Sequence, residues 1–288
     1  MRHGRRMLCT TVDLAQSGLL SLKERLTRQP VLTEVLQHIQ HEGLGLRPPG
    51  KGRGREYGIA TLTHNLRGHG LRSNSFIARA RHAEEMPPAS APEWAFAGRS
   101  NVGKSSLLNC LIGKSAMNTS GTVGVAAVAN LPGVTRSVNF YGAAGKATQG
   151  RPTLVDLPGY GFAYADPEAV AHWQETMKAF LLQRGEAQQP LRVVLVIDAR
   201  QSLRPSDRDF ALWVDREARV PLSAVMSKCD LVPERELAKR FCLLQHELKE
   251  LQLHRLSHSP FMVSSRTGAG CVQYRIDRTV APGVCYIG

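Results

Sequence analysis

Apolar residues fall into two kinds of pattern that alternate along most of the chain: short dense runs, and longer rows spaced at three and four residues. The dense runs at 75–80, 93–97, 137–141, 152–156, 192–197, 221–226 and 260–264 predict strands. The spaced rows at 104–112, 168–183, 206–218 and 234–252 predict amphipathic helices between most of those strands. Strands alternating with helices imply an α/β fold with a doubly wound, mostly parallel sheet and helices on both faces. In such sheets ligands sit beyond the carboxyl ends of the strands, so the loops that follow strands are where chemistry is expected.

The first such loop is the most informative. Between the strand "EWAFA" and the helix "SSLLNCLI" the chain reads "GRSNVGKS", in which Gly98, Gly103, Lys104 and Ser105 satisfy G-x-x-x-x-G-K-[ST]. A strand end meeting a helix N-terminus presents unpaired backbone N–H groups to an anion. Gly98, Arg99, Ser100, Asn101, Val102, Gly103, Lys104, Ser105 and Ser106 are therefore expected to wrap a nucleotide's phosphates. Lys104 is placed to bridge the β- and γ-phosphates and Ser105 to hold magnesium.

Four further loops test that reading. "DLPGYG" follows the strand at 152–156, offering Asp156 as a magnesium ligand through water and the N–H of Gly159 to the γ-phosphate. "LPGVTRSVNF" supplies Pro132, Gly133 and Thr135, the last able to close over magnesium and the γ-phosphate. "SKCD" follows the strand at 221–226: Asp230 can accept both N1–H and the 2-amino group of guanine, with the Lys228 stem along the base and Ser227 where Asn or Thr is usual. "SSRTG" brings Ser264, Ser265 and Arg266, whose backbone N–H groups could reach guanine O6. In this order the four loops favour GTP and GDP over ATP.

Charge changes the picture at the N-terminus. The chain of 288 residues carries a net charge of +13, and residues 1–83 hold 14 Lys and Arg against 5 Asp and Glu. The reader of that excess is a polyanion, an import machinery, or solvent alone. The first thirty residues, Arg-rich with leucines at helical spacing, suit a targeting segment; a plain surface helix is the alternative. Residues 43–58, "GLGLRPPGKGRGREYG", read as a flexible basic linker. The expected division is a basic extension over 1–42, a Gly/Arg-rich linker over 43–73 and a GTPase domain over 74–288. Runs such as "VVLVI" are far too short to span a membrane, and six scattered cysteines without a C-x-x-C pair suit a reducing compartment.

Taken together, "PEWAFAGRSNVGKSSLLN", "PGVTRSVNF", "VDLPGYGFA", "VIDARQSLRPSD", "SKCD" and "SSRTG" resemble the EngB (YihA/YsxC) family of GTP-binding proteins over about residues 74–280. The resemblance implies a GTPase that assists assembly of the large ribosomal subunit, with rRNA and ribosomal proteins as partners, no membrane, and a monomer when free. A mitochondrial member would account for the extension, with a plastid or the bacterial cytoplasm as alternatives. Its catalytic candidates are Lys104, Asn101, Thr135 and Gly159. Where Ras-like enzymes carry a water-orienting Gln, this chain has Tyr160, so slow intrinsic hydrolysis is expected. Asn101 either coordinates a potassium ion beside the phosphates or holds the loop by its own hydrogen bonds. The segment 121–130 looks like an insertion, and the C-terminal stretch from Gly268 has a weaker helical pattern than the family's last helix. A non-hydrolysing RNA-binding scaffold and a tRNA-modification-type GTPase are the rival readings.

Overall fold

The computed structural model describes residues 21–46, 74–112, 137–143, 152–160, 167–187, 190–257 and 259–271. Seven described strands form one sheet: β1 (Asn74–Ala80), β2 (Glu93–Ala97), β3 (Val138–Ala143), β4 (Thr153–Asp156), β5 (Leu191–Asp198), β6 (Leu222–Ser227) and β7 (Phe261–Met262), in the order β1-β3-β4-β2-β5-β6-β7. β4, β2, β5, β6 and β7 run parallel, while β3 is antiparallel to β4 and β1 antiparallel to β3. All seven lie where the apolar runs put them. β7 is shorter than expected because the chain leaves it at Val263 to enter the "SSRTG" turn.

β2 and β5 are apolar at consecutive positions because both faces of the sheet are covered. Ala95, Ala97, Val193, Leu195 and Ile197 join one buried cluster, and Trp94, Phe96, Val194 and Val196 join the other. The helices are α1 (Leu22–Thr27), α2 (Thr33–His41), α3 (Lys104–Ile112), α4 (Pro167–Glu186), α5 (Pro205–Trp213) and α6 (Glu234–Glu250). α3 packs on the Trp94/Phe96 face through Leu107, Leu108 and Leu111. Met177, Phe180 and Leu181 of α4, Phe210 and Ala211 of α5, and Leu237, Phe241 and Leu244 of α6 cover the opposite face.

The helix expected over 206–218 changes pitch. α5 is followed by a π turn over Val214–Ala218, closed by Val220 N–H to the Val214 carbonyl at 3.3 Å. The turn carries Asp215, 1% exposed, inward, where it accepts from the backbone N–H of His254 and Arg255. A buried carboxylate thereby finds its partners, and the connection from α6 to β7 is fixed.

Residues 21–46 contain two helices that dock on α6, where the composition suggested an extension and the start of a linker. Val35, Ile39 and Leu44 enter the main core at 2%, 0% and 0% exposure. Ser21 and Glu24 form a capping box at the start of α1. Leu46 N–H bonds to the Val232 carbonyl at 2.7 Å, directly behind "SKCD". The rest of the expected linker, 47–73, the segment 121–130 and residues 272–288 lie outside the described residues.

Candidate nucleotide site

β2 lies between β4 and β5, and the chain leaves it toward β3 and β4 on one side and later reaches β5 on the other. The crevice at its carboxyl end is thus a switch point of the winding, the expected place for a ligand. The phosphate loop, 98–103, turns there into α3. Gly98 takes φ +150, and a Cβ on it would stand 2.5 Å from the Val196 carbonyl oxygen. The loop can therefore sit directly on β5 only with glycine at that position.

Lys104 is buried at 7% exposure, and its Nζ donates to the carbonyls of Gly98 at 2.9 Å and Arg99 at 3.0 Å. Asp156, at the end of β4, is 1% exposed and accepts from Ser105 Oγ at 2.8 Å. Gly159 closes on the same centre: a Cβ there would lie 2.8 Å from Ser100 Oγ and 3.1 Å from Lys104 Nζ. A bridge between Arg99 and Tyr160 carries the β2–β4 pairing into the two loops. Ser106 follows on the first turn of α3. Pro132, Gly133 and Thr135 lie outside the described residues.

Burial governs the electrostatics of this centre. It pulls the Lys104 ammonium down to about 8 against the opposing charges of Asp156 and Asp207, and pushes Asp156 up to about 6 against Lys104 and the Ser105 hydroxyl. Asp156 Oδ1 and Ser100 Oγ are buried and make no hydrogen bond within the described residues. A carboxylate oxygen beside a serine hydroxyl is a hard-oxygen donor set of the kind magnesium takes, and the residues present fit a magnesium–phosphate group.

The "SKCD" and "SSRTG" loops, expected to read the base, lie next to the phosphate loop, and the first is tied to it. Ser227 Oγ donates to the Val102 carbonyl at 2.5 Å and lies 3.2 Å from the Ile197 carbonyl oxygen, so the short hydroxyl at the end of β6 fastens the phosphate loop beside the end of β5. Lys228, at φ +57, donates through Nζ to the Asn101 carbonyl and lies 3.2 Å from Asp198 Oδ2. Asp230 accepts from Ser264 Oγ at 2.6 Å and from Arg266 Nε at 2.7 Å. Ser265 stands between these two partners, in the turn closed by Gly268 N–H to the Ser264 carbonyl.

Comparison with known proteins agrees with this arrangement. Residues 93–228 match the family model of a 50S ribosome-binding GTPase. The probable GTP-binding protein EngB of Gluconobacter oxydans is 37% identical over 204 residues, which is 70% of this chain and 81% of that protein. Its counterpart in Anaplasma phagocytophilum is 38% identical over 198 residues, 68% of this chain and 91% of its own. The one in Geobacter sulfurreducens is 35% identical over 214 residues, 74% and 94%. The chain belongs to the EngB family of GTP-binding proteins.

As an EngB-family GTPase it carries one feature that sequence reasoning left out of the site. Asp198, 2% exposed at the end of β5, accepts from Arg200 through Nε, Nη2 and the backbone N–H, and faces Lys228. Burial opposes its charge, but the Arg200 bonds and the Lys228 charge outweigh it and hold the carboxyl below its usual value. The "DAR" strand end was the available signal, and its role is to orient Lys228. Arg99, expected in the phosphate loop, also ties that loop to the same segment after β5: its Nη1 donates to Gln201 at 2.5 Å.

Tyr160, next to Gly159, turns into the core of the EngB-family fold. It is 5% exposed and stacks on Phe210 with ring centroids 4.7 Å apart. Burial, with the Asp207 carboxylate nearby, holds its phenol well above the ordinary value. It is therefore a neutral packing group rather than a base for an attacking water.

The raised Asp156 gives a pH dependence with a definite sign. In nucleotide- and metal-free protein the carboxyl takes its proton near 6 when folded, against an ordinary 3.8. The folded state then holds more protons between those values, so this group adds stability as pH falls from 6 toward 4 and withdraws it as pH rises through 6. Asp156→Asn is expected to remove that contribution in urea denaturation followed across the interval. Parallel profiles for the two proteins would place the effect elsewhere.

Proposed function

We propose that this chain is a GTP-driven switch that binds an assembling large ribosomal subunit when loaded with GTP and leaves after hydrolysis, acting in mitochondria. The observation that supports it most is the physical coupling of the base-reading and phosphate loops through Ser227 and Lys228, within a stretch matching a 50S ribosome-binding GTPase. Gly98–Ser106 would cradle the phosphates, with Lys104 supplying the cationic contact. Ser105, Asp156 and Thr135 would hold magnesium, which when bound supplies positive charge at the phosphate oxygens. Asp230 would accept from the guanine edge, with Lys228 along the base and the 264–266 turn at O6.

Hydrolysis transfers the γ-phosphoryl group to water, and the Gly159 N–H would meet the γ-phosphate. With Tyr160 buried in its stack, no side chain at that position orients the water, which supports slow turnover without the particle. Potassium dependence of turnover separates the two readings of Asn101. Mitochondrial action is supported by the Arg-rich, acid-poor start of the chain, and Lys51, Arg53 and Arg55 would add phosphate contacts to rRNA.

The experiment is co-sedimentation with ribosomal particles. Protein held with a non-hydrolysable GTP analogue is expected to pellet with large-subunit particles and not small ones, and GDP is expected to release it. Equal pelleting in both nucleotide states would favour the scaffold reading and overturn the switch.

A further inference from the structure

The carboxylate assigned above to guanine is already engaged from two directions. Ser264, 0% exposed, donates to Oδ1 from the protein side. Arg266 donates through Nε to Oδ2 at 2.7 Å, and its side chain is 62% exposed while that of Asp230 is 8% exposed. The hydroxyl thus comes from beneath and the guanidinium from solvent, the side by which a base has to arrive. An N–H donor on Oδ2 is also what the guanine edge would present there.

We infer that Arg266 is a cap on the guanine site: it pairs with Asp230 and must swing away before guanine can take the carboxylate. The inference rests on the assignment of Asp230 to guanine. Its logic is mass action. A buried carboxylate left without Arg266 loses one of its two donors, so the cap stabilises the empty state alone. Whatever favours the empty state weakens apparent nucleotide affinity by the same factor. An ion pair whose arginine lies mostly in solvent is weak, so the factor is small. The cap releases readily, and its cost falls on association rather than on the complex.

The test uses the full chain stripped of nucleotide, with GDP and xanthosine diphosphate as probes. Arg266→Ala is expected to tighten GDP binding by about two- to fivefold, in the association rate rather than the dissociation rate. Its melting temperature should fall without nucleotide and match the wild type at equal saturating GDP once the affinity gain is included. Weaker GDP binding would overturn the cap and make Arg266 a contact to the base, and an unchanged affinity would overturn it equally. The assignment of Asp230 is checked separately, because Asp230→Asn should shift preference from GDP to xanthosine diphosphate. In that background Arg266→Ala should no longer change affinity, since the ion pair is gone. If Asp230→Asn binds xanthosine diphosphate no better, the guanine assignment fails, and the cap with it. If it switches while Arg266→Ala has no effect on GDP, the cap alone fails.

Discussion

Lys104→Ala is expected to lower GTP and GDP affinity by about a hundredfold or more, from the loss of charge-assisted hydrogen bonds worth roughly 1.5–3 kcal/mol each. Lys104 Nζ rests on the carbonyls of Gly98 and Arg99, beside Gly159. The loop's own backbone therefore holds the ammonium in place, and little side-chain entropy remains to be lost on binding. The electrostatics point the same way: burial has pulled this ammonium down to about 8, and a polyphosphate beside it would restore full protonation. Alanine removes that charge from a centre that also contains Asp156, so the uncompensated carboxylate would repel the incoming phosphates. Titration calorimetry with GDP, alongside far-ultraviolet circular dichroism to confirm folding, measures the effect. A folded variant with affinity within about threefold of wild type, under 1 kcal/mol, would remove Lys104 from the phosphate site.

Much of this centre was legible in the sequence because its geometry is local. Glu93 to Ser105 is a strand, a turn and a helix start in one continuous stretch, Asp156 ends another strand of the same sheet, and Asp230 follows a third. Parallel strands bring those ends together whatever the loops do, so pattern and spacing were enough. Residues 21–46 were not legible for the opposite reason. Leu32, Val35, Leu36 and Ile39 have the spacing of one buried helical face, but the Arg-rich start and the Gly/Pro stretch after them favoured an extension. The docking surface on α6 lies two hundred residues away and leaves no local mark. Likewise, the reach of Arg266 to Asp230 depends on the turn at 264–268 and its hydrogen bonds.

The same long-range logic makes Glu247 the position where a single substitution should cost most stability. It lies on α6 at 0% exposure, and its Oε1 accepts from Arg25 of α1 and from Arg208 of α5, the latter at 3.1 Å. Its Oε2 accepts from the backbone N–H of Leu203 at 3.1 Å, beyond the end of β5. One carboxylate thus ties the N-terminal helices, α5 and the loop that continues from Asp198. Glu247→Ala would leave Arg25, whose side chain is only 13% exposed, without its acceptor, and would also orphan the Leu203 N–H. Breaking a buried pair from one side costs about 3–5 kcal/mol, a large part of the roughly 5–15 kcal/mol that holds a domain folded. Glu247→Gln, which keeps the volume and one acceptor, should cost less, and Arg25→Ala less again because Arg208 and Leu203 remain satisfied. Urea denaturation of the three variants should rank them in that order. A loss below about 1 kcal/mol for Glu247→Ala, the range of exposed pairs, would mean that residues 21–46 contribute little to the folded GTPase despite their buried Val35, Ile39 and Leu44.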